Sequence, residues 1–257
     1  MESKITTIAL KSKESFLSLF KGWTKYELVW LFVSTVVITA TSFIWDSSFL
    51  SYVSSIAGIL CVVFAAKGKI ATFYVGIIQA GTYAYISYGY GLYGEAMLNA
   101  FFYFPVQFVG LYMWMKHAKN KEKAVNGEDV YAKRLTKKQW LIFVPIVLVA
   151  VIGYAFALHS INAQQVRLDS AAVVLSIAAQ LLMLGRFAEQ WLLWIAVNVL
   201  TISLWVATLI QSGGNDWALV AMWTAFLVNS VYGYVNWRKL SKKELAEPDN
   251  AVLVEKE

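Results

Sequence analysis

Phe49–Ala66 reads FLSYVSSIAGILCVVFAA, without one charged side chain, and Lys67-Gly68-Lys69 follows at once. A helix rises about 1.5 Å per residue, so this stretch alone covers most of the ~30 Å of hydrocarbon in a bilayer. Working outward from it, further apolar stretches lie at 28–45, 70–88, 96–115, 140–158, 169–184, 188–211 and 217–237. The reading is an all-α polytopic membrane protein with eight transmembrane helices. Composition agrees, since 59% hydrophobic residues, 15% charged residues and a mean hydropathy of +0.56 would leave a soluble chain of 257 residues with more apolar surface than it could bury.

The two residues flanking Gly68 belong to a wider pattern. Of the 22 Lys and Arg residues, only Arg167 falls outside the N-terminal segment, the second, fourth and sixth loops and the C-terminal tail. Basic residues are retained in the cytoplasm, so both termini are expected inside, as an even number of spans also requires. The net charge of +6 is thus topogenic, and no nucleic acid is expected as a partner. Residues 1–27 form a cytoplasmic N-terminal segment in which Phe16, Leu17, Phe20 and Trp23 recur at helical spacing, as in a helix on the inner surface. The charged loop from Lys116 to Lys138 reads as solvated, and 241–257 as a cytoplasmic tail. A single Cys61 excludes an intrachain disulfide and any cysteine metal cluster. No metal or other cofactor is expected.

A weak internal similarity relates residues 49–117 to residues 168–240. Gly68-Lys69 corresponds to Gly185-Arg186, Ala71 to Ala188, and the run from Gly110 through Trp114 to Lys116 to the run from Gly233 through Trp237 to Lys239. One apolar span, 140–158, separates the blocks and returns the chain to its starting side. The two blocks then share one orientation, a parallel repeat about an axis along the membrane normal. The span at 28–45 stands outside it. The expected architecture is a SWEET-like 3+1+3 repeat with one extra N-terminal helix, an analogy of fold that carries no substrate.

Polar residues form stripes inside this apolar frame. Asn99, Tyr103 and Gln107 follow i, i+4, i+8 on the fourth span; Trp191, Trp194, Asn198, Thr201 and Trp205 share a face of the seventh; Asn229, Tyr232 and Asn236 follow on the eighth. Any one such residue commonly makes a helix-to-helix hydrogen bond. Convergence of amides and large aromatics is what suits a site for a planar, hydroxylated solute. Substrate-binding candidates are therefore Trp191, Trp194, Asn198, Gln107, Asn99, Tyr103, Asn229 and Tyr232.

Absences narrow the chemistry. No Asp, Glu, His, Lys or Arg lies mid-span, where ion-coupled carriers bury relays, so facilitated diffusion is expected. No phosphate-binding loop, paired carboxylates or nucleophile set supports an ATPase or an embedded enzyme. A phosphate would enter without a fixed positive partner, at a cost of several kcal/mol. A cationic ring would meet indole faces instead, a contact of about 2 kcal/mol when desolvated.

The run Trp191-Leu-Leu-Trp194-Ile-Ala-Val-Asn198 resembles the WxxWxxxN signature of the PnuC family of bacterial nicotinamide riboside transporters. The resemblance extends through Tyr90-Gly-Leu-Tyr93-Gly and from Asn99 through Pro105, Gln107 and Gly110 to Trp114, covering about residues 49 to 240. It implies a multi-pass carrier of the bacterial inner membrane that takes up this NAD precursor, with the substrate bound between the blocks and trapped by a cytoplasmic riboside kinase. Trp191 and Trp194 would stack on the pyridinium; Asn198, Gln107 and Asn99 would bond ribose or carboxamide. A homo-oligomer is expected. The alternative is a facilitator for another ring-bearing vitamin or nucleoside, such as thiamine or riboflavin; a membrane sensor or embedded enzyme is a third reading.

Overall fold

The computed structural model describes residues 22–118, 128–160 and 166–246. Among them the chain forms eight helices: α1 (Lys25–Ile44), α2 (Phe49–Ala66), α3 (Ala71–Gly89), α4 (Tyr93–Lys116), α5 (Lys137–Ser160), α6 (Val166–Leu184), α7 (Gln190–Ser212) and α8 (Trp217–Ala246). Six of them, all but α3 and α6, are long and apolar enough to cross a bilayer. In α3 the interior accepts Thr72, Gly76, Tyr83 and Ser87, so its sequence has less need to be apolar. The apolar part of α6 is confined to Ala171–Leu184. Length and composition thus support six of the eight expected spans.

Thr24 sets where α1 begins. Its hydroxyl accepts from the Glu27 amide at 3.3 Å while its own amide donates to the Glu27 carboxylate at 2.6 Å, a reciprocal cap. The expected surface helix over 12–27 lies outside the described residues up to residue 21, and residues 22–24 are not helical. Glu27 is 3% exposed and also accepts from Lys67 Nζ at 2.9 Å and from the Tyr232 hydroxyl at 2.6 Å. One carboxylate thereby joins α1 to the inner ends of α2 and α8.

The helices touch in a closed order. α3 packs between α2 and α4, α7 between α6 and α8, α2 lies against α8, and α4 meets α6. α1 covers α2 and α8 from outside, and α5 leans on α6. Most side chains of α5 face outward, including Leu141, Ile146, Leu148, Val149 and Phe156, as suits a helix in lipid.

Several contacts of α2–α4 have counterparts in α6–α8. The turn after α2 has Gly68 at φ 68°, with Gly68 N donating to Ala65 O and Lys69 N to Phe64 O. The turn after α6 has Arg186 at φ 63°, with Arg186 N donating to Met183 O and Phe187 N to Leu182 O. The left-handed residue is therefore Arg186, not Gly185, and the correspondence read from the Gly pair moves by one residue. Phe73 then matches Trp191. Each packs its ring on a glycine that has no room for a Cβ, Phe73 on Gly110 and Trp191 on Gly233. Trp114 Nε1 donates to Met183 O on α6, and Trp237 Nε1 to Ala65 O on α2.

Of the loop before α5, residues 119–127 lie outside the described residues, and residues 128–135 differ from the solvated run expected. Glu128, Val130 and Ala132 are buried, and residues 128–135 run beneath both inner turns. Asp129 N donates to Gly68 O, and the Asp129 carboxylate accepts from Ile70 N at 2.9 Å. A few residues on, Lys133 N donates to Arg186 O and Lys133 O accepts from Ala188 N. Glu189, 2% exposed, then takes Arg134 Nε at 3.2 Å and Leu135 N at 3.0 Å. Two backbone turns with unmet polar groups are what drew this charged segment out of water.

Candidate functional site

A cavity with about 860 Å³ of unfilled space, its mouth included, lies between the two three-helix groups. Its walls come from α2, α3, α4, α6, α7 and α8.

The α4 wall depends on a defect in the helix. Tyr93–Leu98 is α-helical, Asn99–Tyr103 makes a π-helical turn, and α-helix resumes from Phe104, with Pro105 in its first turn. In an ideal helix a row of i, i+4 positions drifts around the axis by about 40° per step. One wide turn offsets that drift, and such turns gather at functional sites. Glu95, Asn99, Tyr103 and Gln107 consequently all line the cavity. Each amide is steadied from the turn before it: Asn99 Nδ2 donates to Glu95 O at 2.9 Å, and Gln107 Nε2 to Tyr103 O at 3.1 Å.

Opposite stands α7, which presents Gln190, Trp191, Trp194, Asn198 and Thr201. The Asn198 side chain donates to Ser230 Oγ at 2.9 Å, and Ser230 Oγ donates to Phe226 O at 2.8 Å, so α8 fixes the orientation of the amide. Trp194 faces Tyr103 across the cavity with ring centroids 6.2 Å apart and planes 36° from parallel. Gly76 and Ala80, one residue-shifted counterparts of Trp194 and Asn198, carry no such groups. The aromatic wall is thus one-sided although the frame around it is paired.

Six of the eight sequence candidates meet here: Trp191, Trp194, Asn198, Gln107, Asn99 and Tyr103. Asn229 and Tyr232 do not line the cavity. Asn229 Nδ2 donates to Val62 O at 2.9 Å, and the Tyr232 hydroxyl is engaged by Glu27, so both act as helix ties. Asn236, donating to Ala66 O, does the same. Trp205 donates through Nε1 to the Tyr83 hydroxyl within the core.

Other lining residues escaped the sequence reading. Glu95 lies one i, i+4 step before Asn99, and extending the stripe by a turn would have found it. Gln190 sits beside Trp191 at a helix start, where a polar residue looks like a mere end group. Ser176 and Ser230 gave no signal. Cys61 lines the cavity with its thiol 3.4 Å from Thr72 O. Several buried groups on the wall find no protein partner: the Gln190 amide, Gln180 Nε2 and Trp191 Nε1. Among the described lining residues Glu95 is the one carboxylate, and there is no Lys, Arg or His. Such a wall offers ring faces and hydrogen-bonding groups to a polar ligand, with no basic side chain among the described lining residues to hold an anion.

The C-terminal ends of α1 and α3 and the N-terminal ends of α2 and α8 are tied together. Asp216 accepts from Ser48 N at 2.8 Å and from the Tyr90 hydroxyl at 2.7 Å. Burial and the Asp216 carboxylate push the Tyr90 phenol up, which keeps it protonated and donating. Asn215 Nδ2 reaches Asp46 O at 2.7 Å from the same loop.

Comparison with known proteins puts this geometry in context. The family model described as nicotinamide mononucleotide transporter matches residues 48–239. The nicotinamide riboside transporter PnuC of Neisseria mucosa is 46% identical over 243 residues, 94% of this chain and 90% of that protein. That of Haemophilus influenzae is 38% identical over 237 residues, 92% and 99% of the two chains. A crystal structure of the vitamin B3 transporter PnuC superposes with a TM-score of 0.80 at 45% identity, over 88% of this chain and 96% of that one. With the family model matching three-quarters of its length, the chain belongs to the nicotinamide mononucleotide transporter family.

Proposed function

We propose that this protein carries nicotinamide riboside across the membrane by facilitated diffusion, supplying NAD synthesis. The observation that carries the reading is the cavity wall, where Trp194 and Tyr103 offer ring faces and Asn198, Asn99 and Gln107 offer amides, with no basic side chain among the described lining residues. Nicotinamide riboside is a pyridinium cation with a carboxamide and a ribose, so each part finds a matching group. Relatives at 46% and 38% identity bear the name nicotinamide riboside transporter. The mononucleotide in the family description adds a phosphate, which would face Glu95 with no basic residue among the described lining residues.

Transport would proceed by alternating access, with α2–α4 and α6–α8 rocking as two parallel repeats about the cavity and α5 linking them. The matched contacts of Trp114 and Trp237, and of the turns at Gly68 and Arg186, support that 3+1+3 arrangement with α1 added. The charge pattern supports a bacterial inner-membrane setting with both termini in the cytoplasm. A cytoplasmic riboside kinase would trap the product by giving it the charge this cavity rejects. A homo-oligomer remains part of the proposal, the outward faces of α5 supplying apolar area for it.

Calorimetric binding to the detergent-purified protein tests the substrate. Nicotinamide riboside is expected to bind in the micromolar range or tighter, with its 5′-phosphate, thiamine and riboflavin at least about a hundredfold weaker, a gap of ~2.7 kcal/mol. Tighter binding of the phosphate, or of another vitamin, would overturn the assignment.

A further inference from the structure

The start of α7 holds an amide that no group in the protein satisfies. Gln190 is completely buried and lines the cavity, yet neither its Nε2 nor its Oε1 has a hydrogen-bond partner. Its backbone amide is already committed, donating to Phe187 O at 3.3 Å, so the side chain is not needed to cap the helix. On the same wall Trp191 Nε1 and Gln180 Nε2 are also unpartnered, at 2% and 3% residue exposure. Leaving buried donors and acceptors unpaired is costly, and a wall that leaves this many open is built for something polar from outside.

We propose that Gln190 reads the ring carboxamide of the substrate, an inference that rests on the riboside reading above. A hydroxyl offers its donor and acceptor on one atom, and a carboxylate offers acceptors only. A primary carboxamide offers a donor and an acceptor side by side in one plane, at the spacing that Gln190 itself presents. Two amides so placed close two hydrogen bonds at once. The donors of Gln180 and Trp191 remain for the second lone pair of the ligand carbonyl.

This fixes the orientation of the substrate. Asn198 lies eight residues further along α7, about 12 Å outward by helix rise. With the carboxamide at Gln190, the pyridinium falls beside the Trp194–Tyr103 pair, and the ribose hydroxyls reach toward Asn198 and Asn99. The uncharged end of the ring points toward the start of α7, and the sugar toward Glu95.

The test compares nicotinamide riboside with pyridine riboside, in which hydrogen replaces the carboxamide and the ring charge is kept. Calorimetry with the purified full-length protein is expected to show the carboxamide form binding at least about tenfold tighter. In Gln190→Leu nicotinamide riboside should fall to the level of pyridine riboside, whose own affinity should hold within about twofold. Equal loss for both ligands, or no loss for either, overturns the assignment. Should Gln190→Leu not fold, the unmodified protein decides, since equal affinity for the two ribosides leaves no group reading the carboxamide. If neither riboside binds the unmodified protein, the substrate reading fails and takes this inference with it; tight binding without preference sinks Gln190 alone.

Discussion

Trp114 and Trp237 meet with ring centroids 6.0 Å apart, each at the inner end of the last helix of its group and each donating its indole N–H to the other group. Neither ring lines the cavity, but Trp191, which packs on Trp237, does. Phe73 stands edge-on to Trp114 at 5.0 Å, and Trp191 edge-on to Trp237 at 6.4 Å, so four rings share one layer.

That layer makes two glycines intolerant of a methyl group. Gly110→Ala would drive its Cβ into the Phe73 ring and Gly233→Ala into Trp191, both rings being buried and unable to withdraw. Each is expected to cost about 1–3 kcal/mol, read as a lowered melting temperature in detergent. Gly233→Ala should also weaken substrate binding, because Trp191 lines the cavity while Phe73 does not.

Trp194→Ala and Asn198→Ala are expected to abolish uptake by proteoliposomes while the purified proteins keep their elution volume and helical circular dichroism. Trp194 leaves a ring face missing; Asn198 leaves Ser230 without the amide it orients. Full uptake by both variants would show the substrate binding elsewhere. Gln107→Ala should weaken binding by about 1–3 kcal/mol through an unpaired ligand group.

Glu95→Gln keeps shape and hydrogen-bonding capacity but removes the formal charge from the wall. Binding of the cationic riboside should weaken several-fold, to an extent that grows as salt is lowered, since the carboxylate lies at the outer start of α4. The uncharged dihydro form of the riboside should bind the variant and the unmodified protein alike. Calorimetry with both forms at two salt concentrations makes the comparison.

Lys67→Met would strand the buried Glu27 carboxylate between α1, α2 and α8, and a loss of about 3 kcal/mol in thermal unfolding is expected. The double substitution Glu27→Gln with Lys67→Met should recover much of it, because no lone charge remains. A double variant no better than the single would place the cost in packing.

Apolar length and the placement of Lys and Arg made the helices legible, because lipid imposes both in every span. The polar stripes were legible for the same reason, polar groups at membrane depth being costly unless they face a partner or a cavity. What the residues could not carry was which of those two a given amide faces. Asn198 and Asn229 are equally polar and equally buried, and only the packing of α2 on α8 turns Asn229 to Val62 O. The correspondence of Gly68 with Gly185 is offset by one residue from the backbone angles, because the left-handed residue is Gly68 in one turn and Arg186 in the other. Glu95 continues the α4 row one step before Asn99, and the π turn keeps all four members of that row on the cavity face.

Residues 128–135 stand on the C-terminal side of the central loop, yet their bonds divide between Gly68 and Ile70 on one side and Arg186, Ala188 and Glu189 on the other. The two groups therefore do not meet on the inner face as free neighbours, because a hinge pin of backbone runs through both. A chain cut just ahead of this segment would leave the second half holding a piece that the first half needs, so the halves are complementary fragments rather than two independent modules.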